Sequence, residues 1–123
     1  IGLRSFGENP EAVADKGLAY ARGWKQGILS VAKHFPGHGD TAEDSHYTLP
    51  AVHHDRARLD SVELLPFKRY IYDGYAGVMT GHLYVPALDK ARNKPVSMSR
   101  AVVTDPLQKE LGFRGLCFTD AWL

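Results

Sequence analysis

Residues 33–46 read Lys33-His34-Phe35-Pro36-Gly37-His38-Gly39-Asp40-Thr41-Ala42-Glu43-Asp44-Ser45-His46, and they follow the apolar run Ile28-Leu29-Ser30-Val31-Ala32. A short apolar run bounded by Gly27 and Lys33 predicts a buried strand over 28–32. The chain then stays polar to Pro50, punctuated by Pro36, Gly37 and Gly39. A loop of that length in a compact domain is usually functional or disordered. A buried strand that opens into a loop dense in imidazoles and carboxylates suits a parallel α/β fold, where ligands bind beyond the carboxyl ends of strands.

The same arrangement recurs outward from that stretch. Ala76-Gly77-Val78-Met79-Thr80 predicts a second buried strand, followed by Gly81-His82, and Gly115-Leu116-Cys117-Phe118-Thr119 a third, ending at Asp120. A helical pattern precedes each strand. Asn9-Pro10 is a helix start, since Asn caps and Pro fits the first turn. Ala14, Leu18 and Ala21 then fall at helical spacing. Arg58 to Asp73 is helical in pattern, with Pro66 inside it as a break. Ser99 to Leu111 is a third helix, interrupted at Pro106 and stopped by Gly112-Phe113. Helix, strand and loop in alternation argue for a parallel sheet.

The chain has 123 residues, 44% of them apolar and 24% charged, which is one domain's worth of globular composition. A net charge of +1 offers no strong field for nucleic acid or an anionic membrane. Basic residues are not interleaved with aromatics, and no apolar run approaches a membrane span of roughly 18–20 residues. The single Cys117 excludes an internal disulfide and a Cys-based zinc site. The chain starts at Ile1 and stops at Leu123, just past an apolar run. Both ends read as cuts from something longer.

Polar residues gather where the strands end: Lys33-His34, Thr80-Gly81-His82 and Thr119-Asp120. Asp44 and His46 stand two apart, so the carboxylate could orient the imidazole and raise its proton affinity, as a general acid/base requires. Asp44 could equally make a local turn bond to backbone. Asp120 at a strand tip suits a nucleophile, a base or a hydrogen-bonding partner, or else a cap for a following helix. Lys33 at a strand end suits an anion or hydroxyls, and Arg4 is either a similar contact or a surface charge. His34, His38 and His46 with Asp40 or Asp44 could ligate zinc, but the spacing matches no helical zinc motif and Gly-rich loops hold ligands loosely. His53-His54 reads as a solvated pair.

The stretch KHFPGHGDTAEDSHYTLP resembles the signature loop of family 3 glycoside hydrolases, in their β-N-acetylglucosaminidase (NagZ-type) branch. RSFGENP, VELLPF, VMTGHLYVPALD, PVSMS and KELGFRGLCFTD match in the same order, so the resemblance covers nearly the whole chain. It implies a TIM-type (β/α)8 barrel with parallel strands, of which this chain would be a single partial domain over 1–123. A whole barrel takes about 250 residues, so the chain would carry about three βα units of the later portion, the N-terminal strands missing. The implied activity is hydrolysis of β-linked N-acetylglucosaminides with retention, cell-wall muropeptides being the expected substrate.

By the same resemblance Asp120 is the nucleophile, His46 the acid/base and Asp44 its orienting partner. Arg4, Lys33, His34 and His82 hold the sugar, and no metal or organic cofactor is implied. The family commonly has a second Asp after the nucleophile, where this chain has Ala121. That departure bears on fine substrate preference. The competing expectations are a family 3 β-glucosidase and a non-catalytic sugar-binding or interaction module. Compartment stays open, the family favouring the cytoplasm. A partial barrel leaves open sheet edges and uncovered apolar surface, so the isolated segment is expected to be inactive and to self-associate.

Overall fold

The computed structural model describes residues 1–24, 26–42, 48–91 and 93–121. Helix α1 spans Pro10–Gly23 and begins as its sequence demands: the Asn9 side chain accepts a hydrogen bond from the Ala12 N–H, and Pro10 occupies the first helical position. Its buried face is Ala14, Leu18 and Ala21. That stripe packs on α3 (Leu65–Tyr72), which buries Phe67 and Tyr70. Surface ion pairs run between the same two helices, Arg69 to Glu11 and Asp15 and Arg22 to Asp73. Exposed pairs of this kind contribute about 0–1 kcal/mol each.

Strands β1 (Ala32–Phe35), β2 (Gly77–Thr80) and β3 (Leu116–Thr119) form one parallel sheet in the order β1-β2-β3. Sequential parallel neighbours joined through helices are the repeating unit of a (β/α)8 barrel. Phe35, Leu59, Leu64, Val78, Leu83, Val102 and Leu107 are fully buried between sheet and helices, each worth roughly 1.5–3 kcal/mol of burial.

The first strand lies further along the chain than the apolar run suggests. Ile28, Leu29 and Val31 stay outside the sheet, 51%, 45% and 37% exposed. Pairing instead starts at Ala32↔Val78 and includes Lys33↔Met79 and Phe35↔Thr80. Lys33 and His34 are therefore strand residues, not the start of the loop. Between Lys33 and Phe35 the register slips by one residue, so His34 is a bulge with no partner opposite it. The Lys33–His34 and Phe35–Pro36 peptide bonds are cis.

Proline divides the second helical region as expected. Helix α2 covers Arg56–Ser61, and α3 resumes with Pro66 in its first turn, where a missing N–H costs nothing. The third region starts at α4 (Arg100–Val102), capped by the Ser99 hydroxyl, and continues as a π-helix over Val103–Glu110. Pro106 has no N–H to give to the Val102 carbonyl, and the wider turn closes with Leu111 N–H donating to Pro106 O. Gly115 lets β3 start close beside β2, since a Cβ there would stand 2.1 Å from Ala76 O.

Candidate functional site

The polar residues at the three strand ends meet in space. Asp120 follows β3 directly, and its N–H donates to Thr80 O at 3.1 Å, which extends the β2–β3 ladder by one bond. The Thr80 hydroxyl donates to Phe118 O at 3.2 Å. Beyond the ladder, His82 Nε2 lies 3.1 Å from Asp120 O and 3.0 Å from Ala121 O. The tip of β3 is thus gripped from the tip of β2 by Thr80 and His82.

The Asp120 carboxylate divides its oxygens. Oδ1 accepts the Ala121 N–H at 2.9 Å. Oδ2 stands 3.5 Å from His34 Nε2, an electrostatic contact longer than a good hydrogen bond. The bulge in β1 brings His34 over to Asp120. His34 is 7% exposed, and its Nδ1 is buried without a hydrogen-bond partner. Burial pushes its pKa down from 6.5 to about 4, against the pull of Asp120 and with help from the charges of Lys33, His38 and Arg4. The ring is neutral at pH 7, and Nε2 is the nitrogen that faces the carboxylate.

The charges of Lys33 and Arg4 both bear on His34. Arg4, Lys33, His34 and His38 line a cavity of about 850 Å³ between α1, the N-terminal turn Gly2–Arg4 and β1. Asp120 and His82 are not in its wall. His38 sits edge-on to His34, with ring centroids 5.6 Å apart, and its Nδ1 is 2.6 Å from Thr41 Oγ1. Of the residues read from sequence, His34 and His82 both reach Asp120, while Lys33 and Arg4 line the neighbouring cleft together with His34. Asp44 and His46 lie outside the described residues.

One set of side chains could hold a cation. His54 Nε2, Asp40 Oδ2 and an oxygen of Glu63 lie within 4.8 Å of one another. Arg58 already fills this place: its guanidinium is 3.2 Å from Glu63 Oε1 and 3.7 Å from Asp40 Oδ2. A divalent ion would have to displace that charge, so the cluster is better described as an ion-pair network under the loop. His54 Nε2 and Asp40 Oδ2 are 2.5 Å apart within it, so His54 is part of a network and not simply solvated. Glu63, 7% exposed, is packed beneath Gly37, where a Cβ would meet the Glu63 Cβ at 2.9 Å.

Sequence reading did not single out Ser97 as a site residue. Its Oγ is 2.6 Å from His82 Nδ1. The two are 15 residues apart with irregular chain between them, so no periodicity could have paired them.

The whole chain, residues 1–123, matches the glycosyl hydrolase family 3 N terminal domain. It is 43% identical over 132 residues to a "Beta-hexosaminidase A" of Pseudoalteromonas piscicida, covering 98% of this chain and 22% of that protein. A solved glycoside hydrolase family 3 β-N-acetylglucosaminidase from Paenibacillus superposes with a TM-score of 0.95 at 45% identity, over 98% of this chain and 23% of the other. The NagZ of Neisseria gonorrhoeae, solved with N-trifluoroacetyl-D-glucosamine, gives 0.89 at 40% identity, over 98% of this chain and 35% of the other. The chain spans about a quarter to a third of the proteins it matches.

Proposed function

This chain belongs to glycosyl hydrolase family 3, and from that premise we propose that it is the part of a retaining β-N-acetylglucosaminidase that carries the nucleophile, Asp120. The supporting observation is the setting of Asp120: a carboxylate at the tip of a parallel strand, its backbone held from β2 and one oxygen facing His34. Likeness to proteins named β-hexosaminidase, one of them solved with an N-acylglucosamine derivative, supports the sugar class.

The reaction runs in two displacements. Asp120 Oδ attacks the anomeric carbon while the bond to the leaving oxygen breaks, and His46 gives that oxygen its proton. Water then attacks the glycosyl–Asp120 ester, His46 takes the water's proton, and the carboxylate leaves. Each step conserves charge, because His46 passes from imidazolium to imidazole and back. Asp44 orients His46. Arg4, Lys33, His34 and His82 are the sugar contacts in this reading, and His34, neutral and buried, also faces the carboxylate. Muropeptides are the substrate we infer within this class. The chain is the later part of the barrel, and the missing strands complete the sugar site, so the segment alone is inactive.

The test uses the full-length protein. It should turn over an aryl N-acetylglucosaminide and not the matching glucoside. A fluorinated N-acetylglucosaminyl fluoride should leave its label on the peptide containing Asp120. A label elsewhere removes Asp120 from the role, and preference for the glucoside moves the protein to the β-glucosidase reading.

A further inference from the structure

His82 stands two residues beyond β2, on a stretch of chain fastened on both sides. Gly81 donates its N–H to Phe35 O at 3.0 Å, and Leu83, fully buried, accepts the Val96 N–H at 2.8 Å. Tyr84 gives its N–H to Pro50 O and takes the Val52 N–H, both at 2.9 Å. The imidazole carried by this anchored stretch is 9% exposed.

Its Nε2 lies 3.1 Å from Asp120 O and 3.0 Å from Ala121 O. A carbonyl oxygen only accepts, so these contacts require a hydrogen on Nε2, whatever else the ring touches. One N–H is then shared between two successive carbonyls. In an extended strand successive carbonyls point to opposite edges, so His82 marks the place where the chain leaves strand geometry, immediately at Asp120.

The main chain of Asp120 is thereby held on both sides of its α-carbon from β2 and the turn after it. Thr80 O takes the Asp120 N–H at 3.1 Å, and His82 donates to Asp120 O. The carboxylate is tied to the same framework, because Oδ1 accepts the Ala121 N–H at 2.9 Å. Asp120 O and the Ala121 N–H belong to one planar peptide unit. The unit that His82 grips by its oxygen is therefore the unit that holds Oδ1 by its N–H, and Oδ2 is the oxygen left facing His34.

We propose that His82, besides its place among the sugar contacts, is a positioning residue for the nucleophile: its Nε2–H fixes the peptide plane between residues 120 and 121, whose N–H holds Oδ1 and leaves Oδ2 to attack. The role rests on Asp120 being the nucleophile. Misplacing a reacting group by an ångström costs about 100-fold in rate.

Two substitutions in the full-length protein separate the donor's place from the bulk of the ring. In His82→Gln the side-chain amide nitrogen falls near the position of Nε2 and can donate to the same carbonyls. In His82→Asn it falls near the position of Nδ1 and cannot reach them. With an aryl N-acetylglucosaminide, kcat of His82→Asn should fall roughly 10- to 100-fold, and His82→Gln should run about 10-fold faster than His82→Asn. The saturating rate of inactivation by a fluorinated N-acetylglucosaminyl fluoride, which reads attack by Asp120, should follow the same order. Equal losses in the two variants overturn the proposal, and so does a loss confined to KM, which is what a sugar contact alone would give. A further reading needs no variant: in unmodified protein labelled with ¹⁵N-histidine, two-bond ¹⁵N–¹H correlations, assigned through the backbone, should show a hydrogen on His82 Nε2. A ring with its hydrogen on Nδ1 alone overturns the clamp. If the unmodified protein turns over no N-acetylglucosaminide, the glycosidase reading falls and this role with it, whereas an active enzyme labelled at Asp120 with any of the contrary results above overturns the role of His82 alone.

Discussion

His34 shows how a residue's setting decides its chemistry. Its folded pKa, about 4, lies below the 6.5 of the free imidazole because burial disfavours the cation more than Asp120 favours it. Between those values the unfolded chain binds the proton and the folded chain does not. Stability contributed by a neutral buried His34 is therefore present above pH 6.5 and lost as the pH falls toward 4, with no further loss from this group below that. The loss is of the order of 3 kcal/mol. Urea midpoints of the full-length protein against His34→Asn over pH 4–7 check it: the wild type should weaken toward acid more steeply than the variant, and parallel curves would refute it. A second prediction concerns His46, whose role rests on the family pattern. His46→Ala should slow glycosides with poor leaving groups by about 10²–10⁴-fold and activated aryl glycosides far less, since the latter need little protonation. Equal slowing of both would remove His46 from the acid role. These two residues also mark what could be read from sequence at this scale. His34 lies within β1 itself and not just past the apolar run 28–32, whereas Asp120 was legible as a strand-tip residue because it directly follows the apolar run of β3. The orphaned Nδ1 of His34 and the Ser97 bond were not, because both depend on contacts made between distant parts of the chain.

At the scale of elements, prolines and caps were legible and strand register was not. Asn9, Pro66 and Pro106 act locally through φ and a missing N–H, so their effects stand wherever the chain goes. The position of β1 depends on which residues find partners on β2, and the run Ile28–Val31 is as apolar as a strand while lying outside the sheet. An apolar run tells that a segment seeks burial, not what will cover it. The glycine before β3 has a sharper consequence. Gly115→Ala would place a methyl carbon 2.1 Å from Ala76 O, a backbone atom that cannot swing aside. β3 must then shift against β2, at a cost of roughly 1–3 kcal/mol, and Asp120 moves with it. Thermal melting and turnover of the full-length variant should both fall. Gly23→Ala, with nothing within 4 Å of the added carbon, is the control and should change stability by less than about 0.5 kcal/mol. If the two variants melt alike, β3 is not packed against Ala76 as described.

At the scale of the molecule, the sheet stops where a barrel would continue. Among the described residues β1 pairs only with β2, and β3 only with β2, so both outer edges offer unpaired backbone groups. β3 is exposed at every position, including Leu116 at 61% and Phe118 at 38%, although its sequence is that of a buried strand. Ile28, Leu29 and Val31 lie uncovered as well. Large contiguous apolar surface with open strand edges is stable in water only when something covers it. In solved relatives this segment makes up about a quarter to a third of a longer chain, and further strands of the barrel would serve as that cover. The segment expressed alone should therefore associate through these edges. Light scattering would show concentration-dependent mass above the monomer, and Phe118→Lys, placing a charge on the exposed face of β3, should reduce it. In the full-length protein the same substitution falls on a covered strand and should lower the melting temperature instead. A segment that stays monomeric at high concentration and unfolds in one cooperative transition would show that three βα units suffice, and the uncovered face of β3 would then need another explanation.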